Sequence, residues 1–307
     1  MKKTAILIFI CAALGMAQTD TESNILTRKG GPALGPARMN KVDVQRVVPH
    51  LAVSEVWKSV LTIRNDQETQ INLFMEFRDV NGNFVPCVFY DSDDVMYENA
   101  TGYNLPLAPY EIYVMEFDQL GGSARSIQVF VISDELESGY GLEAVYNNFI
   151  GPDKVSSVGV GVRPPGDLFV MNIDRRVDAY TLNQKFRGAA ITNSEDVPCQ
   201  CEFTLYNQFG QSFDDLGSFP RVLININPLG KFVGIFTDIY PDLDTLLPLG
   251  LGYFEVLCSS PVSVLGLAFE SNTSIVASVP VDYFILLKGK QGETVRVPRP
   301  QEPLPRK

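Results

Sequence analysis

Three cysteines and a run of carboxylates are the residues of this chain best placed to do chemistry. Cys199 and Cys201 lie two apart, so on a strand both side chains point the same way. Cys258 ends the apolar run 254–258, a second strand that could face them. A disulfide from Cys258 to Cys201 or to Cys199 is one expectation, with Cys201–Cys258 the preferred pair. Buried free thiols are the competing one. A single Cys-x-Cys without further Cys or His is a weak signal for a metal. Tyr90-Asp91-Ser92-Asp93-Asp94, with Glu98 close behind, is the densest carboxylate cluster. Asp91, Asp93 and Asp94 could offer hard oxygen ligands to Ca²⁺, which often stiffens loops. The cluster lacks the glycine and spacing of an EF-hand loop, and a solvated acidic loop accounts for the same residues. Asp238, Asp242 and Asp244 form a looser set around Tyr240-Pro241.

The remaining constellations are thinner. His50 is the only histidine, and no Gly-x-Ser-x-Gly occurs, so a Ser-His-Asp hydrolase has little to stand on. Carboxylates for glycoside hydrolysis are numerous, but a chain of two similar modules argues against it, since such a pair more often sits in one larger barrel or cleft. Trp57 is the only tryptophan. Phe74 and Tyr206 fall at outward positions of alternating strands, which suits either a sugar platform or a contact between parts of the chain. Asn99-Ala100-Thr101 and Asn272-Thr273-Ser274 match the N-glycosylation pattern, although the N-terminus reads as bacterial.

The elements that must position these residues are strands. In Ile71-Asn72-Leu73-Phe74-Met75-Glu76-Phe77-Arg78 the odd positions are apolar, the period of a half-buried strand. Asn81-Gly82 follows as a hairpin-turn signal. Similar runs recur near 111–117, 126–132 and 141–146, and no long amphipathic helix is visible. The 307 residues are 45% apolar and 20% charged, which excludes wholesale disorder. A net charge of −11 argues against a nucleic-acid partner, because phosphate binding needs clustered cations.

The N-terminus reads as an export signal. Lys2 and Lys3 precede an apolar stretch over 4–14, and Gly15-Met16-Ala17 places cleavage after Ala17. Ile10 before Cys11 argues against lipidation. The stretch is too short to span a bilayer as a helix, and no other window is long and apolar enough, so a mature chain without a transmembrane segment is expected. Its destination is periplasmic or extracellular, where disulfides persist. Residues 18–42, rich in Gly, Pro and Thr, read as a flexible leader.

An internal repeat organises the rest. Leu61-Thr62-Ile63-Arg64-Asn65 aligns with Ala189-Ala190-Ile191-Thr192-Asn193. Without gaps, Ile71, Leu73, Met75 and Phe77 then fall on Cys199, Cys201, Phe203 and Leu205, and Gly82 on Gly210. Pro109, Tyr113 and Phe117 match Pro228, Phe232 and Phe236. Two modules follow, 43–162 and 163–282, joined by the stiff Arg163-Pro164-Pro165-Gly166. Residues 283–307 remain as a basic, Pro-rich tail. Each module holds enough short antiparallel strands for a two-layer β-sandwich.

These residues carry a resemblance. Trp57-Lys58-Ser59-Val60-Leu61-Thr62-Ile63-Arg64-Asn65, Asn81-Gly82, Gly188-Ala189-Ala190-Ile191-Thr192-Asn193 and Pro228-Leu229-Gly230-Lys231-Phe232 resemble a paired Ig-like β-sandwich repeat of secreted proteins from environmental bacteria. That family has no assigned catalytic residues, so the resemblance implies fold and export and transfers no site. The expectation is an all-β, exported, non-enzymatic structural or interaction protein of two tandem Ig-like sandwiches, with a protein or glycan partner at the cell surface. A carbohydrate-binding protein is the alternative. No cofactor is expected beyond the Ca²⁺ considered above.

Overall fold

The computed structural model describes residues 24–28, 45–118, 125–133, 139–150, 152–162, 164–177, 185–213, 221–270, 276–279, 281–288 and 294–298. The expected signal peptide and most of the leader lie outside these residues. In the first half the strands are β1 (Ile25–Thr27), β2 (Gln45–Val53), β3 (Trp57–Asn65) and β4 (Ile71–Arg78). There follow β5 (Cys87–Tyr90), β6 (Met96–Ala100), β7 (Gly102–Leu107) and β8 (Ile112–Asp118). Then come β9 (Arg125–Ser133), β10 (Tyr140–Ile150) and β11 (Asp153–Gly161). The second half contains β12 (Gly166–Asp174), β13 (Lys185–Asn193), β14 (Cys199–Asn207), β15 (Val222–Ile226) and β16 (Lys231–Ile235). Two short helices, α1 (Phe236–Ile239) and α2 (Leu243–Leu246), lead to β17 (Leu251–Glu270) and β18 (Val276–Val279). The chain closes with β19 (Val281–Lys288) and β20 (Thr294–Pro298).

The molecule is all-β in the manner its alternation predicts. Ile71, Leu73, Met75 and Phe77 of β4 are all buried in one core. The first half is a sandwich of two sheets, ordered β1-β7-β4-β9-β2 and β11-β10-β3-β8-β5-β6. Between them Phe77, Phe89 and Phe117 meet at 5.6–5.9 Å. Each such ring contributes about 1.5–3 kcal/mol through burial. Within the stretch read as leader, β1 adds a strand parallel to β7, Ile25 opposite Gly102. Arg28 then lies over the Tyr113 ring and pairs with Glu111 at 2.7 Å.

In the second half one strand serves both layers. The first part of β17 pairs with β12 and β14, its last part with β13. Pro261 sits at the crossing, and its carbonyl accepts bonds from Ser194 N and Oγ. A strand that changes sheet this way makes a sandwich corner. The pairings β2–β9, β4–β9, β4–β7, β3–β10 and β3–β8 of the first half have counterparts in the second. These are β12–β17, β14–β17, β14–β15, β13–β17 and β13–β16. The two helices, absent from the sequence expectation, bury Phe236, Ile239, Leu243 and Leu246 in the second core. β19 pairs with β12, and β20 with β19, so residues 283–288 and 294–298, read as tail, extend this sheet.

Loops recur as well. Asn65 Nδ2 donates to Thr69 O and Ala108 O, and Asn193 Nδ2 to Val197 O and Asn227 O. Asp79 Oδ1 accepts the N–H groups of Asn81 and Asn83, as Asn207 Oδ1 accepts those of Phe209 and Gln211. Each turn contains a left-handed glycine, Gly82 at φ +89° and Gly210 at φ +76°. Their surroundings differ. A Cβ on Gly82 would stand 2.3 Å from the carbonyl oxygen of Pro228 in the other half, whereas on Gly210 its nearest neighbour is the Tyr253 hydroxyl at 3.7 Å. Gly210→Ala should therefore cost about 1 kcal/mol, the left-handed backbone alone, and Gly82→Ala more than about 2 kcal/mol. Urea unfolding of the two variants checks this; equal losses would mean that the turn at Gly82 does not brace the other half.

Candidate functional site

The acidic loop joins β5 to β6. Asp91 is buried, and its carboxylate is committed to the fold. Oδ1 accepts the N–H groups of Asp93 and Val95, both at 2.9 Å. Oδ2 accepts the hydroxyls of Tyr97 at 3.2 Å and Tyr113 at 3.1 Å. Tyr103 extends the network, its hydroxyl 2.8 Å from that of Tyr113. Burial pushes the Asp91 carboxyl up, but the N–H groups of Val95 and Asp93 and then the two phenols hold it below the usual carboxylate range. Its stabilisation is therefore complete above the ordinary aspartate range and is lost as pH falls through the depressed value. Asp93 and Asp94 are exposed. Asp91→Ala should lower stability by about 3 kcal/mol by stripping charged hydrogen bonds from two buried phenols, while Asp93→Ala should change it by less than about 0.5 kcal/mol. Chemical denaturation of the two variants reads the difference.

The cysteines converge in the second core. Cys201 and Cys258 face each other across β14 and β17 and are disulfide-bonded. Cys199 is a buried free thiol 3.9 Å from Cys201 Sγ. All three sulfurs lie within 4.8 Å of one another. The two-residue spacing aims Cys199 and Cys201 inward together, as alternation requires. Cys87, also free, is buried in the first half, and burial pushes its thiol far up, so it is unreactive while folded.

A third cluster, invisible in the motifs, lies where the halves meet. Gln128 on β9 donates through Nε2 to Asp79 O at 2.8 Å and to Leu229 O at 2.5 Å. Its Oε1 accepts from Thr192 Oγ1 at 3.0 Å. Thr192 also reaches Pro49 O, and Lys231 N bonds to Val80 O. Ala190 and Leu265 of the second half pack into the core of the first. Lys231 is buried beside this seam with no hydrogen-bond partner for its Nζ. Burial pulls its ammonium down to about 7, against the opposing influence of Asp79. His50 is buried too; its Nδ1 lies 2.8 Å from Ser126 Oγ, and its carbonyl accepts the Tyr146 hydroxyl. Burial first, and Lys231 second, push the imidazole well below its ordinary value, so it is neutral and structural.

The other expected residues separate. Phe74, expected at an outward position, is 5% exposed, because the outer face of its sheet is covered rather than solvated. Ile132 and Phe130 beside it are buried as well. Tyr206 is half-buried and stacks on Tyr253 at 4.8 Å with rings 3° apart. Phe209, at the turn after it, is 76% exposed. Asp244 forms a two-pronged pair with Arg175 at 2.6 and 2.8 Å. Trp57 packs half-buried against the first core. No helix of the described residues is long and apolar enough to cross a membrane.

Comparison with protein-family models, curated proteins and solved structures finds no match to this chain. The functional reading therefore rests on its own geometry.

Proposed function

We propose that this chain is an exported, non-enzymatic structural or interaction protein made of two tandem Ig-like β-sandwiches. The observation that carries the reading is the seam at Gln128. One side chain ties a loop of the first half to a loop and a strand of the second, and Lys231 N adds a backbone bond beside it. Such a seam favours one mutual orientation, as a rigid scaffold needs. The recurring strand pairings and asparagine-braced turns support common descent of the halves. The partner is a protein at the cell surface, reached through a sheet edge such as β6, where Met96 is exposed.

The stacked Tyr206 and Tyr253, with Phe209 and Leu257 exposed on the same half, support glycan binding as the second reading. A glycan array on the purified exported form, run with Ca²⁺ and with EDTA, separates the two. Saturable binding lost in a Tyr206→Ala/Tyr253→Ala variant establishes the glycan reading, and its loss in EDTA would implicate Asp93 and Asp94. No binding in either buffer favours the protein-partner reading. Mass spectrometry of the exported form tests the cleavage after Ala17.

A further inference from the structure

The three sulfurs of Cys199, Cys201 and Cys258 are gathered within 4.8 Å of one another. We infer that, while Cys201 and Cys258 are thiols, the three converge on one thiophilic d¹⁰ cation, of the kind represented by Zn(II) and Cu(I).

The spacing favours a shared ion. Two thiolates about 2.3 Å from one tetrahedral zinc stand about 3.8 Å apart. Cys199 Sγ and Cys201 Sγ are 3.9 Å apart. Cys258 Sγ, bonded to Cys201 in this structure, lies within 4.8 Å of Cys199 Sγ and would share the ion once that bond is reduced. The same spacing is poor for a second disulfide. Neighbours two apart on one strand, or diagonal across two, hold their Cα atoms near or beyond the reach of an S–S bond, about 7 Å. Cys199 is thus badly placed to replace either partner and well placed to join both. Its own contacts are weak, Ser260 O at 3.7 Å and Ser259 Oγ at 3.9 Å.

The donor set selects the metal class. The cluster holds three sulfurs and no imidazole or carboxylate, which favours soft ions over Ca²⁺ or Mg²⁺. The three cysteines are buried in the second core, which also holds Phe203, Ile226 and Val256. Binding turns thiols into thiolates and releases a proton for each ligand. Forming the disulfide removes two electrons and two protons from Cys201 and Cys258, passed to a disulfide or quinone oxidant. It leaves Cys199 alone and closes the site. Metal and disulfide exclude one another, so an ion bound before oxidation would delay the crosslink.

The test uses residues 18–307 in a Cys87→Ser background, so that Cys199, Cys201 and Cys258 are the only cysteines left. Protein reduced with a phosphine is equilibrated anaerobically with Zn(II) or Cu(I) in separate arms, and bound metal is counted by atomic emission. About one ion per chain in either arm, and none on the oxidised protein, is expected; the two arms identify the ion. Cys199→Ser, which leaves the disulfide pair intact, should weaken binding by more than about 100-fold, exceeding what outer-shell changes cost. If reduction unfolds the chain, adding the ion should restore its folded circular dichroism. No bound ion, equal loading of reduced and oxidised protein, unchanged affinity in Cys199→Ser, or failure of the ion to refold an unfolded reduced chain would each overturn the inference.

Discussion

Replacing Cys201 and Cys258 together by alanine lowers the unfolding free energy by about 4 kcal/mol, taking the loop-entropy relation for a crosslink of this span. The bonded residues are 57 apart in sequence. The closed loop runs through β15, β16, α1 and α2 before returning along β17. Without the bond, the unfolded chain regains the freedom of that whole stretch, while the folded state keeps the β14–β17 pairing that already opposes the two positions. Cys199→Ala, by contrast, removes a buried thiol without opening a loop and should cost about 1–2 kcal/mol. Urea denaturation of the three proteins, with the oxidised parent as reference, checks the ordering. A double variant within about 1 kcal/mol of the parent would mean that the bond constrains little.

The second large effect is a pH dependence centred on Lys231. An unfolded lysine keeps its proton to about 10.5, and the folded Lys231 releases it at about 7. Between those values the unfolded state binds more protons, so stability rises with pH across that window and is lowest below it, where both states are charged. The total change is on the order of 5 kcal/mol. Asp79 is the acidic group that opposes the shift, and His50 shifts in the same sense as the lysine, resisting protonation as pH falls below its ordinary range. Lys231→Met should raise stability at pH 6 and flatten the rise toward pH 9, because an apolar side chain of similar length needs no partner there. Denaturation midpoints of parent and variant at the two pH values decide it; parallel profiles would assign the pH dependence to other groups.

Much of the fold was legible in the residues. The period of two in β4 named the face that enters the first core, and the Asn81-Gly82 pair named the turn. Five strand pairings of the first half have counterparts in the second, a correspondence the alternation within single strands does not specify. The spacing of Cys199 and Cys201 already directed both inward. Among candidate sites the sequence marked residue type better than role. Asp91 stood out as one carboxylate of an acidic loop; its four internal hydrogen bonds were not legible, because the phenols that supply two of them come from β6 and β8.

What the sequence by itself determined is therefore local: strand, turn and inward face, all set by the alternation of side chains and by the few residues that tolerate a tight turn. The tertiary structure decided whether an outward face meets solvent or the rest of the chain. Phe74 is buried on such a face, and Gln128 meets Leu229 across 101 residues of sequence. Lys231 lost its solvent in the same way, although Ile112, the residue aligned with it in the first half, is 58% exposed. Periodicity fixes direction within a strand; burial and the pKa shifts that follow depend on what another part of the chain brings to that face.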